Sequence, residues 1–341
     1  MASSQRLILR LRLEDLVALT FLLINLLLRI CFRTTQRQNL NPSDVLIIIP
    51  AVTLLLGKEV VHYFLAGKSP KAGSAEGPWD FVRPYWEIIR DWFPFLAILL
   101  MYYSLWGDAT LMLVTTDRDQ ALMAIDQRLF GCQPSLVLQH IISPWLTSWM
   151  DFAYFFHVVN IPLVALFIYS FRDRTRFREM MSGLMVVSFL GLVGYLLVPA
   201  IGPIYTLRSQ YTVPLRGSMG VFNREMDFMD FARIRRDVFP SLHVGISFVV
   251  WLYAYRNSKK LFWILSPLIL SLWFSTVYLR YHYLIDVVAG LILAPLSFWL
   301  ANWMFRRFGD VPIAIPESCA ARLPWLAKPR DVALPDKAAQ D

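Results

Sequence analysis

The sequence predicts an all-α integral membrane protein, built as a polytopic bundle of transmembrane helices. Of its 341 residues, 57% are hydrophobic and only 17% are charged, a composition far more apolar than that of soluble domains. Its apolar runs also approach the roughly 20 residues that a helix needs to cross a bilayer. Hydropathy places about eight such spans along the chain. They are Leu16–Phe32, Val45–Ala66, Phe93–Val114, Phe152–Phe171, Met180–Ile201, Leu242–Tyr255, Leu261–Leu279 and Leu284–Phe305.

The segments outside these spans differ in composition. The first apolar run lacks a small-residue cleavage site, so we interpret it as a retained helix rather than a signal peptide. Residues 67–74 form a flexible polar connector. The stretch Asp117–Met150 mixes charges with apolar residues and carries Trp145 and Trp149, which is typical of an interfacial or re-entrant helix. The tail beyond residue 307 is rich in Pro and Ala and is expected to lie outside the bundle.

Charge predicts the orientation of the chain. Lys and Arg total 33 against 25 acidic residues, and we assign the excess to cytoplasmic loops and lipid phosphates rather than to nucleic acid. Basic clusters at Arg172–Arg178 and Arg256–Lys260 place both termini in the cytoplasm. The loop Gly202–Phe239 and the turn Arg280–Tyr283 then face the opposite side. That loop is itself basic, which conflicts with a simple count but suits a phosphate site.

The strongest chemical signal is the pair His282 and Asp286. The two residues are four positions apart, so on a helix they lie one turn apart on the same face. A carboxylate there holds the imidazole in one tautomer and raises its basicity. Ionisable residues at the end of a membrane helix are costly, and function is therefore the first explanation to test. We predict that this pair is the chemical centre.

A second group, Pro240-Ser241-Leu242-His243, precedes the sixth span. Pro240 favours the first helical turn, and Ser241 can cap it. His243 then lies near backbone N–H groups at the positive helix end, where phosphate binds readily. The segment Pro199–Tyr205 breaks the fifth span sharply, and all three elements are predicted to lie at one membrane face. Two histidines, a carboxylate and arginines together suit phosphoryl transfer through a phosphohistidine.

Simpler interpretations of these residues stay open. His282 and Asp286 could form a helix-end ion pair that anchors a turn. Ser241, His282 and Asp286 could form a hydrolase triad, although the strained nucleophile turn is absent and His243 would have no role. A metal site from the histidines and Asp286 lacks supporting ligand spacing, and the three scattered cysteines indicate neither a metal site nor a disulfide framework. His157, inside the fourth span, is interpreted as an interhelical hydrogen-bond partner.

These motifs resemble those of the type 2 phosphatidic acid phosphatase superfamily. Pro240–His243 and Tyr278–Asp286 are similar to its second and third motifs, and most similar to those of the inositol phosphorylceramide synthase-like branch. The pattern Asp126-x-x-Leu129-Phe130-Gly131 also recurs in that branch. Asp126 and Arg128 are expected to fix the interfacial helix. The resemblance implies a six-helix core over the third to eighth spans. It also implies that His282 is the nucleophile, Asp286 its orienting carboxylate and His243 the general acid.

The chain departs from the superfamily pattern at two places. The Lys and Arg-Pro of the first motif are missing where Gly202-Pro203 stands, and Thr276 occupies the position of the third motif's arginine. Arg83-Pro84 is a false match, since Glu76 stands at its lysine position. Phosphate would therefore need other partners. The candidates are Ser241, Tyr205, Arg208, Arg235, Arg236 and Arg280. The branch tends to share both losses, so they point toward that branch.

The predicted organisation has three parts. Residues 1–92 form two amino-terminal transmembrane helices and a cytoplasmic connector, residues 93–307 form the six-helix catalytic core, and residues 308–341 form the tail. We expect a location in a bacterial inner membrane, with an extracytoplasmic active site. No metal or other cofactor is expected, and no nucleic acid partner.

The expected activity is transfer of a head-group phosphoryl unit between membrane lipids. A lipid alcohol as acceptor makes the protein a phosphotransferase, which the branch resemblance favours. Water as acceptor would make it a lipid phosphate phosphatase acting on phosphatidate or polyprenyl phosphates. A non-catalytic lipid-phosphate carrier is the alternative from another class. The donor head group, the acceptor and the oligomeric state do not follow from the sequence.

Overall fold

The protein is a bundle of long helices. The structure, a computed structural model, describes residues 7–31, 78–105, 110–217, 234 and 236–315. The longer helices within these ranges are α1 (Leu13–Cys31), α2 (Pro78–Tyr103), α3 (Asp119–Phe130), α4 (Pro144–Phe171), α5 (Arg174–Leu197), α6 (Leu242–Asn257), α7 (Lys259–Tyr278) and α8 (Leu284–Phe308). Short helical turns lie at Pro134–Leu138, Gln139–Ile141, Pro203–Thr206 and Arg208–Gln210.

Four of the described helices are long and apolar enough to cross a membrane, namely α4, α5, α7 and α8. The predicted all-α membrane bundle is therefore confirmed. Three further predicted spans coincide with helices that are shorter or more charged: α6 has only 16 residues, and α1 and α2 contain acidic and basic residues. The predicted span Val45–Ala66 lies outside the described residues.

The bounds of the helices α2 and α4 differ most from the prediction. The helix α2 begins at Pro78 rather than Phe93 and ends at Tyr103, before the predicted Val114. The helix α4 begins at Pro144, where Ser143 caps it by accepting the Leu146 N–H at 3.4 Å and proline occupies the first turn, a favoured start. Trp145 and Trp149 therefore belong to a spanning helix. The predicted interfacial segment reduces to α3 and the short turns after it.

The chain divides into two compact units. In the first, which includes residues 7–12, 78–92 and 310–315, the strands β1 (Leu7–Arg12) and β2 (Asp310–Ile315) pair antiparallel, and Arg12 forms an ion pair with Asp91 at 2.8 Å. The sequence analysis did not predict these strands. The second unit contains α1, the end of α2 and everything from α3 to α8. The three-part division proposed from the sequence stays a prediction.

Inside the second unit, α8 packs against α5 and α6, and α7 packs against α4 and α6. The helix α1 packs on α5, where Glu14 faces Arg178 at 3.5 Å. Part of the Arg172–Arg178 cluster thus makes contacts inside the protein, and its role in orienting the chain stays a prediction. Arg172 also donates to the Asn257 carbonyl at 3.0 and 2.7 Å.

The helices α6 and α8 approach most closely at Gly290. A Cβ added there would lie 2.6 Å from the Ser241 carbonyl oxygen and 3.0 Å from the Val244 side chain. Glycine therefore lets the two backbones come together at the amino end of α6. A Cβ on Gly245 of α6 would lie 3.3 Å from the Val187 side chain, 3.7 Å from the Leu293 side chain and 3.9 Å from the Gly290 carbonyl oxygen. The two glycines therefore differ, since of the two only the Cβ at Gly290 would lie closer than 3.0 Å to another atom, which is a backbone oxygen.

Gly290→Ala is expected to lower the free energy of unfolding by about 1–3 kcal/mol, the usual cost of overpacking, because the Ser241 backbone has to move. Gly245→Ala, the matched control at the same helix pair, should cost clearly less. Thermal unfolding of each purified variant in detergent measures the difference. Equal midpoints for the two variants would contradict the close approach at Gly290.

Candidate active site

The site is built around a chain of three side chains, His243, His282 and Asp286. The Nε2 atom of His282 lies 3.3 Å from Nδ1 of His243, and its Nδ1 atom lies 3.5 Å from Oδ2 of Asp286. His282 and Asp286 therefore lie together, as their spacing of four residues predicts. His282 is 2% exposed and Asp286 is fully buried. The two sides of the His282 ring therefore face different partners, an acid on one side and a second imidazole on the other.

This chain of contacts fits one arrangement of protons. A proton on His282 Nδ1 faces the Asp286 carboxylate, which leaves Nε2 with a lone pair. A proton on His243 Nδ1 then points at that lone pair. These proton positions follow from the hydrogen bonds between the three side chains. The arrangement puts a nucleophilic nitrogen beside a proton donor.

Backbone contacts join the three sequence elements that carry the site. The Ser241 N–H donates to the Asp286 carbonyl at 3.1 Å, and the Ile204 N–H donates to the Arg280 carbonyl at 2.8 Å. Gly202 has φ of +95°, and a Cβ on it would lie 2.7 Å from the Tyr281 carbonyl oxygen, so this turn requires glycine. The elements Pro199–Tyr205, Pro240–His243 and Arg280–Asp286 therefore meet as predicted.

Two carboxylates on α3 accept hydrogen bonds from the backbone where these elements meet. Asp126 accepts the backbone N–H groups of Leu284 and Ile285, each at 2.9 Å. Asp119, seven residues earlier on the same face of α3, accepts the N–H groups of Ile201 and Gly202 at 3.0 and 2.9 Å. Asp126 therefore fixes the start of α8, whereas the sequence analysis expected it to fix only its own helix.

Tyr283 donates hydrogen bonds both to Asp119 on α3 and to Asp286 on α8. Its hydroxyl donates to Asp119 at 2.8 Å and lies 2.7 Å from the Thr206 hydroxyl, while its backbone N–H donates to Asp286 at 2.8 Å. Burial, with the Asp119 carboxylate beside it, raises the pKa of Tyr283 above its usual value. Burial also raises the pKa of Asp126, partly offset by its two N–H donors. The tyrosine therefore stays a protonated donor at neutral pH.

An apolar cavity of about 340 Å³ opens beside the two histidines. It lies among α2, α4, α5 and α6, with His243, His282 and Tyr281 in its wall. Asp237 also lines it and accepts the Tyr102 hydroxyl at 2.7 Å. Among the described residues in its wall there is no Lys or Arg. The volume and the apolar lining suit part of a lipid chain rather than a free phosphate ion.

A third histidine, His157, lies in the same cavity. Its ring centroid is 4.6 Å from that of His243, and the Tyr154 ring centroid is also 4.6 Å from that of His243. From the sequence, His157 was interpreted as an interhelical hydrogen-bond partner. In the structure its ring contacts His243 and lines the cavity, and its Nδ1 atom has no hydrogen-bond partner among the described residues. The three-residue spacing of Tyr154 and His157 on α4 was the signal available, since it puts both on one helix face.

The residues predicted to bind phosphate do not lie together at the histidine cavity. Ser241 is buried and caps α6, accepting the Val244 N–H at 3.5 Å. Arg236 forms an ion pair with Asp117 at 2.6 Å, and Arg235 lies outside the described residues. Tyr205, Arg208 and Arg280 line a second hollow, of about 440 Å³. No described arginine lines the histidine cavity, so phosphate binding by these residues stays a prediction.

Arg280 is the most buried of these cations. Its guanidinium lies 3.9 Å from the Tyr211 ring centroid and donates to the Val213 carbonyl. Its backbone has φ of +68°, a conformation that costs a non-glycine residue free energy. Burial lowers the pKa of Arg280, although an arginine stays cationic at neutral pH. The strained turn thus holds a charge at the edge of the second hollow.

The contacts do not favour the alternative sites. His282 Nε2 faces His243 and not the Ser241 hydroxyl, which caps its own helix, so the serine triad is not assembled. Within the described ranges, no group of three or more His, Cys, Asp or Glu side chains is arranged to hold a metal ion. The geometry therefore corresponds to paired imidazoles backed by a carboxylate.

Two comparisons with known proteins bear on this site. A family model described as the PAP2 superfamily matches residues 120–300, a range that contains all three residues of the site. The chain is also 25% identical to the phosphoinositol dihydroceramide synthase of Bacteroides thetaiotaomicron, in an alignment covering 56% of this chain and 68% of that protein. No solved structure matches the chain.

Asp126→Ala is expected to lower the free energy of unfolding by about 1–3 kcal/mol, because two buried N–H groups of α8 lose a charged acceptor. Asp126→Asn keeps one oxygen and should lose less. Arg128→Ala, an exposed position on the same helix, is the control and should leave stability within about 0.5 kcal/mol of the wild type. Thermal unfolding in detergent tests the order. An Asp126→Ala protein as stable as the control would show that the stability of α8 does not depend on this carboxylate.

Proposed function

The chain belongs to the PAP2 superfamily, and from that premise we propose that it transfers a head-group phosphoryl unit between membrane lipids. It is an integral membrane enzyme of the lipid phosphotransferase and phosphatase type. The observation that carries the finer proposal is the contact of His282 Nε2 with His243 Nδ1 at 3.3 Å, at the edge of an apolar cavity. The family assignment favours an enzyme over the non-catalytic carrier.

In the first half-reaction, His282 Nε2 attacks the phosphorus of a lipid phosphodiester. The bond between phosphorus and the oxygen of the lipid alcohol breaks, and His243, which enters the reaction as an imidazolium with both ring nitrogens protonated, gives its Nδ1 proton to that departing oxygen. Asp286 faces His282 Nδ1 and stabilises the positive charge that the ring acquires. The product is a phosphohistidine at His282 that carries the head group, plus a free lipid alcohol.

In the second half-reaction, an acceptor hydroxyl takes the place of the departed alcohol. His243, now neutral, removes the hydroxyl proton as the oxygen attacks phosphorus, and the bond between phosphorus and His282 breaks. Both histidines return to their starting protonation. The amino end of α6, capped by Ser241, is proposed to stabilise the phosphoryl oxygens. Tyr205, Arg208 and Arg280 are proposed to bind the donor's head group or phosphate from the second hollow.

The acceptor decides between the two reactions of the superfamily. A lipid alcohol fits the apolar cavity beside His243, and the name of the Bacteroides relative refers to a phosphoinositol head group and a dihydroceramide. We therefore propose an inositol phospholipid as donor and a ceramide-type alcohol as acceptor. With water as acceptor, the same residues would make a lipid phosphate phosphatase. The site is proposed to open on the extracytoplasmic side of a bacterial inner membrane, with both termini in the cytoplasm.

The test uses purified protein in detergent with phosphatidylinositol labelled in its head group, or phosphatidate labelled in its phosphate. Each donor is incubated with and without ceramide or diacylglycerol. Label that moves onto the added lipid supports the phosphotransferase. Free labelled phosphate or head-group phosphate that forms regardless of the added lipid overturns the transferase in favour of the phosphatase. No product from any donor, with turnover equal to that of His282→Ala, would contradict both reactions.

Substitutions of the two histidines are expected to reduce activity in different ways. His282→Ala should lose turnover by more than about 1,000-fold and carry no acid-labile phosphate after rapid quenching, since the nucleophile is gone. His243→Ala should lose about 100- to 10,000-fold with natural donors. It should recover its first step with a nitrophenyl phosphodiester, whose leaving group needs no proton. His140→Ala, an exposed histidine, is the control. Recovery of the His282→Ala protein with that ester would contradict the assigned roles.

A further inference from the structure

The cavity wall contains polar groups that the proposed reaction does not use. On α4 its lining runs through His157, Val158 and Ile161, and on α5 through Leu184, Ser188 and Leu192. Leu184, Ser188 and Leu192 are spaced by four residues, so they form one face of α5. On these two helices the lining therefore contains a serine and a histidine beside apolar residues and the tyrosines Tyr154 and Tyr195.

Both polar groups are buried without a partner. Ser188 is 1% exposed, and neither its Oγ atom nor the Nδ1 atom of His157 has a hydrogen-bond partner among the described residues. A buried polar atom without a partner costs about 1–3 kcal/mol. Two residues of one cavity wall that carry such atoms indicate that a polar group of a ligand completes their hydrogen bonds.

The position of His157 limits where that polar group lies. The His157 ring is 4.6 Å from the His243 ring, centroid to centroid, and His243 is the residue that would take the proton of an acceptor hydroxyl. A ligand group bound at His157 therefore lies within a few bonds of the reacting oxygen. The apolar residues on either side of His157 and Ser188 would contact the hydrocarbon that follows.

Resting on the proposed function, we propose that His157 and Ser188 recognise the acceptor. They bind an amide or ester one or two carbons from the reacting hydroxyl of a lipid alcohol. This places the hydroxyl oxygen beside His243 Nδ1, which receives its proton as the oxygen bonds to phosphorus. A ceramide offers an amide there and a diacylglycerol offers an ester. A simple long-chain alcohol offers neither, and water offers no chain.

The experiment compares three acceptors, namely ceramide, diacylglycerol and hexadecanol, in the full-length protein and in two variants. Ser188→Ala removes one hydroxyl, and His157→Phe removes the ring nitrogens but keeps an aromatic ring against His243. The control is Ser182→Ala, which lies on the same helix, is equally buried and has no hydrogen-bond partner among the described residues, but is not among the residues that line the cavity.

We expect the wild type to favour ceramide or diacylglycerol over hexadecanol by at least tenfold in kcat/KM. Each variant should reduce that preference roughly five- to tenfold, the worth of about one neutral hydrogen bond, mainly through KM. The loss with ceramide or diacylglycerol should exceed the loss with hexadecanol, which offers these residues no amide or ester, and Ser182→Ala should leave turnover unchanged for every acceptor. Ceramide and diacylglycerol, compared in the wild type, show whether the amide or the ester is the natural group.

Binding measured without chemistry separates this inference from the proposed reaction. In the His282→Ala background, the preferred acceptor should raise the unfolding temperature, and Ser188→Ala or His157→Phe should reduce that shift while Ser182→Ala does not. This result supports the acceptor site even if the intact protein proves inactive. Equal loss for all three acceptors, or an unchanged preference in both variants, would overturn it and assign His157 and Ser188 a packing role.

Discussion

The amino end of α8 imposes the constraint on which the site depends. The first N–H groups of a helix have no acceptor within it, and an apolar bundle offers no water to replace one. Carboxylates on a different helix meet this need, since Asp126 accepts from Leu284 and Ile285. Asp286 accepts from Tyr283, and Asp119 reaches the Tyr283 hydroxyl. The small helix α3 is therefore part of the site although it contributes no reacting group. Removing its carboxylates would leave buried donors unpaired next to His282.

Asp286 connects this anchoring to the chemistry. The same oxygen that accepts the Tyr283 N–H lies 3.5 Å from His282 Nδ1, so the orientation of the imidazole follows from where α8 begins. The Asp286 carbonyl in turn accepts the Ser241 N–H, and Gly290 lets the two helices approach closely at that level. His243 follows Ser241 by two residues. The 3.3 Å separation of the imidazoles is therefore set by backbone contacts between α6 and α8, and not by the side chains alone.

Local spacing was enough to predict the parts of the site that are close in sequence. His282 and Asp286 are one helical turn apart, and Ser241 and Pro240 are residues that typically begin helices. The contribution of Asp119 and Asp126 could not be predicted, because their partners lie about 80 to 160 residues away. The position of His157 beside His243 was not predicted, because a lone histidine in an apolar run shows no partner until α4 packs on α6. Hydropathy also placed the starts of α2 and α4 too late, since charged residues near the start of α2 and Thr147, Ser148 and Asp151 near the start of α4 interrupt the apolar runs.

The charges around the site bear on the kind of phosphate it accepts. A phosphomonoester is largely a dianion at neutral pH, whereas a phosphodiester carries a single negative charge. The chain lacks the lysine and arginines that the resembling superfamily motifs place near the phosphate, and no described arginine or lysine lines the histidine cavity. In a wall of low dielectric, an uncompensated dianion costs far more than a monoanion. A diester therefore needs less compensating charge than a monoester, and in the proposed reaction His243, the amino end of α6 and the arginines of the second hollow would supply it. The absence of the motif cations thus favours the proposed transfer of a head group over hydrolysis of a phosphomonoester.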